Sequence, residues 1–148
     1  MPTLSLLYLR GGGADRVQAT DRHEHPYWQL EVLTAAGASV DLDGGSRTLH
    51  TGDLLILPPH CPHRFRYRPG ATWLSLRYLV VGTTAATPTL HHERDLPAFA
   101  PFRRLLTALY PQALADPRMQ PALTQAALAL LALLHRPAVD GARDPLVA

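Results

Sequence analysis

The stretch GDLLILPPHCPHRFRY, residues 52–67, reads as a strand, a proline-stiffened loop and a second strand. Gly52 turns the chain into the apolar run LLIL, Pro58 and Pro59 stiffen its exit, and His63 opens RFRY. Working outward, VDLDGGSRTL (residues 40–49) reads as two strands around an Asp43-Gly44-Gly45 turn, and WLSLRYLVV as a further strand. Short strands at this spacing, from about residue 17 to 81, predict an antiparallel sandwich or barrel. GGGAD near the start is expected to be a flexible turn, and Arg64, Arg66 and Arg68 a solvated face.

From Pro97 onward β-branched residues thin out, and Ala and Leu take over. AFAPFRRLLTALYPQALA and DPRMQPALTQAALALLALLHR read as two helices, with Asp116 as N-cap and Pro117 at the first helical position. The second helix carries Leu123, Leu130 and Leu134 on one side, with Leu128 and Leu131 beside them. A helix this apolar must be covered on more than one face, which favours pairing with another chain over a groove in its own domain. In the connector GTTAATPTLHHER, His91 and His92 read as exposed loop histidines, and the tail PAVDGARDPLVA reads as a linker.

The chain of 148 residues fits one domain with a real core, and its 47% hydrophobic and 18% charged residues are those of a globular protein. A net charge of +2, with scattered arginines, gives no basic stripe of the kind nucleic acid requires. The single cysteine, Cys61, excludes an intramolecular disulfide framework and fits a reducing compartment. No convincing signal peptide and no membrane-length apolar run are present, so the expectation is a cytoplasmic protein with no membrane partner.

HEHPYWQLE, residues 23–31, is where chemistry concentrates. In an extended strand His23, His25, Tyr27, Gln29 and Glu31 share one face, while Trp28, Leu30 and Val32 share the other. The first face gathers imidazoles, donors and acceptors; the second is apolar and needs a partner, for which the C-terminal helices are candidates. Imidazoles two apart on a strand can point at one ion, and His63 from another strand would complete three protein ligands. The bland alternative is a polar pocket in which each group is satisfied by hydrogen bonds. Cys61 beside His63 is a possible soft ligand, but is expected to be structural.

The pattern HxH-x3-(E/Q), about twenty residues, then G-x5-P-x4-H resembles the two cupin motifs. HPYWQLEVL, GDLLILPPHCPHRFR and the following helices resemble, more narrowly, the N-terminal sensor domain of AraC-family transcription regulators, over roughly residues 22–136. The resemblance implies a mainly β fold: a small antiparallel, jelly-roll-like cupin β-barrel at 1–88, a helical pair for packing and dimerisation at 95–136, and a linker-like tail at 137–148. It puts His23, His25 and His63 at the metal-histidine positions. Gln29 stands where metal cupins usually have Glu, and His60 where Gly is common. A His there is costly if the turn needs a positive φ. A divalent metal ion, Zn or Ni, is the expected cofactor.

Tyr27, Glu31, Trp73 and Tyr78 are the candidate ligand contacts, with core placement the alternative for the aromatics. Arg47, Arg66 and Arg77 could meet a ligand carboxylate but are expected at the surface. Two functional readings follow. The first is an effector-sensing, homodimerising domain of a transcription regulator, with a small-molecule effector, and with DNA contacted only through a helix-turn-helix domain absent from this chain. The second is a stand-alone metal-dependent cupin enzyme, a dioxygenase or isomerase. A metal-free module that stores or carries a small molecule is a third possibility.

Overall fold

Alternation of apolar and polar residues organises the described part of the chain, residues 3–82 and 87–136 of a computed structural model, into two antiparallel sheets. The first orders its strands β1 (Thr3–Gly13), β8 (Thr72–Val81), β3 (Trp28–Ala35), β6 (Leu54–Leu57) and β9 (Thr89–His91). The second orders β2 (Gln18–Ala19), β7 (Arg64–Tyr67), β4 (Ala38–Leu42) and β5 (Gly45–Leu49). The expected jelly-roll-like architecture is present, but as two sheets rather than a closed barrel. The linker-like tail lies outside the described residues.

The centre of the first sheet, β3 and β6, is buried on both faces. Trp28, Leu30, Val32, Leu54, Ile56, Leu74, Leu76 and Tyr78 pack in one cluster with the helices. Leu33, Leu55 and Leu57 pack in a second cluster with Val40, Leu49, Phe65 and Tyr67 of the other sheet. Each fully buried Leu, Ile or Phe contributes about 1.5–3 kcal/mol, so the two layers on either side of this sheet dominate its stability. The predicted hairpin forms: Leu42 pairs with Gly45, whose φ of +121° suits glycine.

Helices α1 (Ala100–Ala115) and α2 (Gln120–Leu134) follow, and Asp116 accepts from the Arg118 N–H at 3.1 Å as the N-cap of the intervening 3-10 turn. Leu123, Ala126, Ala127, Leu130 and Leu131 of α2 are buried with Leu106 and Ala113 of α1 against the even-numbered face of β3. Within the chain, α1 supplies α2 with a second apolar surface beside the sheet. What α2 leaves exposed is the row Ala122, Gln125, Ala129 and Ala132. Among the described residues, no helix is long and apolar enough to cross a membrane.

Two expectations change. Gly11, Gly12 and Gly13 are not a flexible turn but the paired end of β1, opposite Leu74, Trp73 and Thr72. A Cβ at Gly11 would collide with the Tyr110 ring, and one at Gly12 with the Trp73 indole, so close approach explains both. His91 and His92 are half-buried rather than exposed, because β9 pairs with β6 and carries the sheet past residue 88.

Leu130→Ala is expected to cost about 2–5 kcal/mol in urea unfolding.

Candidate functional site

Two segments forty residues apart are stitched together through their backbones. The His23 N–H donates to the His63 carbonyl at 3.0 Å, the His63 N–H donates back at 2.9 Å, and the His60 N–H donates to the His25 carbonyl at 2.6 Å. His60 makes that contact from a left-handed φ of +60°. The turn that commonly uses glycine is therefore kept with a histidine, at a cost of about 1 kcal/mol.

This pairing brings the imidazoles of His23, His25 and His63 together, with one ring nitrogen of each within 4.8 Å of the others. Hydrogen bonds fix two tautomers. His23 Nδ1 lies 2.6 Å from the Asp21 carbonyl oxygen and His63 Nδ1 2.8 Å from that of Cys61. A carbonyl only accepts, so both Nδ1 atoms carry the proton and each Nε2 presents a lone pair. His63 Nε2 is buried without a partner, and so is Gln29 Oε1. His25 Nε2 accepts from Arg77 at 2.9 Å. Burial, then the Arg77 charge and the neighbouring rings, hold the His25 imidazole down to about 4; burial lowers His63 as well. The Nε2 atoms of His23 and His63 converge as ring-nitrogen donors that fit a divalent cation, while His25 Nε2 is taken by the Arg77 guanidinium, which is the ion's competitor.

The odd-numbered face of β3 continues the site inward. Gln29, Glu31, Trp73, Ser75 and Arg77 line a cavity of about 140 Å³ between the sheets, closed from the other side by Phe65 and Tyr67. Glu31 is fully buried. It accepts from the Tyr67 hydroxyl and from Gln29 Nε2, the latter at 3.2 Å. Burial pushes its carboxyl up, against the lowering effect of those donors. Arg77 donates to Ser75 at 3.2 Å and to the Tyr27 hydroxyl at 3.3 Å, and Tyr27 stacks on His25 at 4.8 Å. Trp73 stacks on Tyr67 at 3.8 Å.

Of the expected ligand contacts, Glu31 and Trp73 line this cavity, Tyr27 stands beside it against His25 and Arg77, and Tyr78 is elsewhere. Tyr78 lies on the opposite face of the sheet, fully buried under the helices, with its hydroxyl 2.7 Å from His135 Nε2. Cys61 contributes its carbonyl to His63; its thiol is not among the converging ligands. Arg77, expected at the surface, is instead half-buried and lines the cavity, and Tyr67 and Ser75 are site residues that the sequence reading passed over. The parity of β8 was the available signal, since positions 73, 75 and 77 share a face.

The AraC-like ligand binding domain family matches residues 7–147. No curated protein matches the chain. Among solved structures, it is similar to YhaK from Escherichia coli, at 14% identity and a TM-score of 0.51, over 60% of this chain and 43% of that one. It is also similar to KdgF from Halomonas sp. (21% identity, TM-score 0.43, 52% of this chain and 76% of that one). A third likeness is to an RmlC-like cupin from Shewanella frigidimarina (20%, TM-score 0.43, 52% and 75%). At these identities the likeness is one of fold.

Tyr67→Phe removes a donor from a buried carboxyl and is expected to cost about 1–3 kcal/mol. A carboxyl raised in the fold keeps a proton that the unfolded chain releases, so its contribution falls as pH rises from about 4.5 through the raised value. Losing the Tyr67 hydroxyl raises it further. Urea unfolding should therefore show a larger loss at pH 8 than at pH 5.

Proposed function

Because the chain belongs to the AraC-like ligand binding domain family, we propose that it is the effector-sensing and dimerisation domain of a transcription regulator, with DNA contacted outside the sheets and helices described above. The observation that supports this most is the alternation on β3 and β8. Gln29, Glu31, Ser75 and Arg77 face the cavity, while Leu30, Val32, Leu76 and Tyr78 seat the helices. An occupant of the cavity therefore acts on the same strands that hold α2. Differential affinity for two arrangements of sheet and helices is all that a population shift needs.

The effector is small. The cavity of about 140 Å³ is well below the roughly 300–1,000 Å³ of drug-sized sites. Arg77 and Arg10 line it, so an anionic group such as a carboxylate is the favoured partner. His23, His25 and His63 would hold a divalent metal, Zn or Ni, with Gln29 Oε1 as a weaker fourth donor. When bound, such an ion supplies a positive centre that an anionic effector can meet. His23 and His63 orient their Nε2 lone pairs through backbone carbonyls, and Arg77 competes for His25. Dimerisation would use the exposed small-residue row on α2, and the reading implies a cytoplasmic protein. For the enzyme alternative, the candidate base among the described residues is Glu31, whose carboxyl is engaged by Tyr67 and Gln29.

Metal analysis after loading with Ni²⁺ tests the histidine site. His63→Ala, and His23→Ala as a half-exposed control for folding, are each expected to take up one equivalent less than wild type. Arg77→Met should tighten binding by up to about tenfold, by removing the competing charge. Equal uptake in all variants would defeat the metal assignment.

The sensor reading is tested by the helices. Light scattering at high micromolar concentration is expected to give a dimer, and amide exchange in α2 to slow when Ni²⁺ is added. A monomer whose α2 exchange is indifferent to the ion would overturn it.

A further inference from the structure

A second group of metal ligands stands apart from the three histidines. Residues 50–53 form the turn joining β5 to β6, with the Asp53 N–H donating to the His50 carbonyl at 2.9 Å and Gly52 at a φ of +93°. That closure puts the first and fourth side chains of the turn side by side. On the neighbouring strand Leu54 pairs with His91, so the residue before β6, Asp53, lies opposite the residue after β9, His92. Register alone thus assembles His50, Asp53 and His92, whose ligand atoms lie within 4.8 Å of one another.

Asp53 is the anchor. Its side chain is 4% exposed, with Oδ2 accepting from the His50 N–H at 2.8 Å and Oδ1 lying 3.0 Å from His92 Nδ1. His50 Nδ1 is 3.6 Å from Oδ2. A carboxylate offers about four lone-pair sites, so these contacts leave it capacity for a cation. Ligands about 2.1 Å from a tetrahedral ion are roughly 3.4 Å apart, and both His–Asp separations are already near that value. The group opens into a cleft of about 700 Å³ formed with the start of α1. The arginines that line this cleft each stand beside a carboxylate: Arg104 lies 3.7 Å from Glu93 and Arg94 3.9 Å from Asp95.

We propose that His50, Asp53 and His92 form a second binding site for a transition-metal cation, of the class of Zn²⁺ or Co²⁺, that clamps the β5–β6 turn to the segment leading from β9 into α1. Two imidazoles and one carboxylate, with room for water, select such ions over Ca²⁺ and Mg²⁺, which prefer all-oxygen shells. The ion takes the place of the proton that His92 Nδ1 directs at Asp53, and the neutral ring then carries its one proton on Nε2.

The test uses Co²⁺, whose visible absorption reports ligation. In the 148-residue chain carrying His23→Ala and His25→Ala, one equivalent of Co²⁺ is expected to bind and to be displaced by Zn²⁺. Adding His50→Ala and His92→Ala should abolish it. The two positions lie at the rim of the fold, and circular dichroism confirms that each variant is folded. Should the His23/His25 variant itself unfold, wild type against His50→Ala/His92→Ala gives the same comparison, with uptake expected to fall by one equivalent. Uptake unchanged by removing His50 and His92 overturns the site, as does a folded His23/His25 variant that binds no Co²⁺.

Discussion

Strand β3 has no solvent face. Its first six residues, from Trp28 to Leu33, are all buried, and they alternate between two incompatible surroundings. Trp28, Leu30 and Val32 meet the helices; Gln29, Glu31 and Leu33 meet the opposing sheet. The strand is stable only when both layers are present, so the helices are the second half of the core rather than an appendage. Its partners β6 and β8 share the condition.

The same constraint shapes the electrostatics. Burying Gln29, Glu31 and His63 costs free energy unless each finds partners. Glu31 finds Tyr67 and Gln29, and His63 donates to a carbonyl, yet Gln29 Oε1 and His63 Nε2 are left over. Such orphans are few in folded proteins, and two of them beside a cavity mark the place where an exogenous group has most to gain. Arg77 sits between the two possibilities. It satisfies Ser75, Tyr27 and His25, and its charge adds to burial in lowering His25 while opposing a cation there.

Local features were legible in the sequence. The alternation of faces over residues 28–32, the Asp43-Gly44 hairpin, the Asp116 cap and the convergence of His23, His25 and His63 follow from spacing and side-chain type, although the strand expected from His23 begins only at Trp28, after a bend at Pro26 and Tyr27. Parity was applied to β3 but not to β8. Positions 73 and 78 differ by an odd number, so Trp73 and Tyr78 cannot share a face, while Arg77 must share one with Trp73. Other misses were non-local. Nothing near His91 and His92 announces their pairing beside β6, and nothing near Gly11 and Gly12 announces the Tyr110 and Trp73 rings that exclude a side chain. The partner of α2 was likewise invisible until α1 was seen to cover it.

The alternation on β3 limits how this site can change over evolutionary time or at the bench. Substitutions at positions 29, 31, 75 and 77 can redraw the cavity one side chain at a time, because their neighbours face elsewhere. Insertion or deletion of a single residue in β3 would exchange the two faces, driving Glu31 beneath the helices and Leu30 into the polar cavity. Ligand preference in this scaffold can therefore diversify by substitution, while the lengths of its central strands stay fixed.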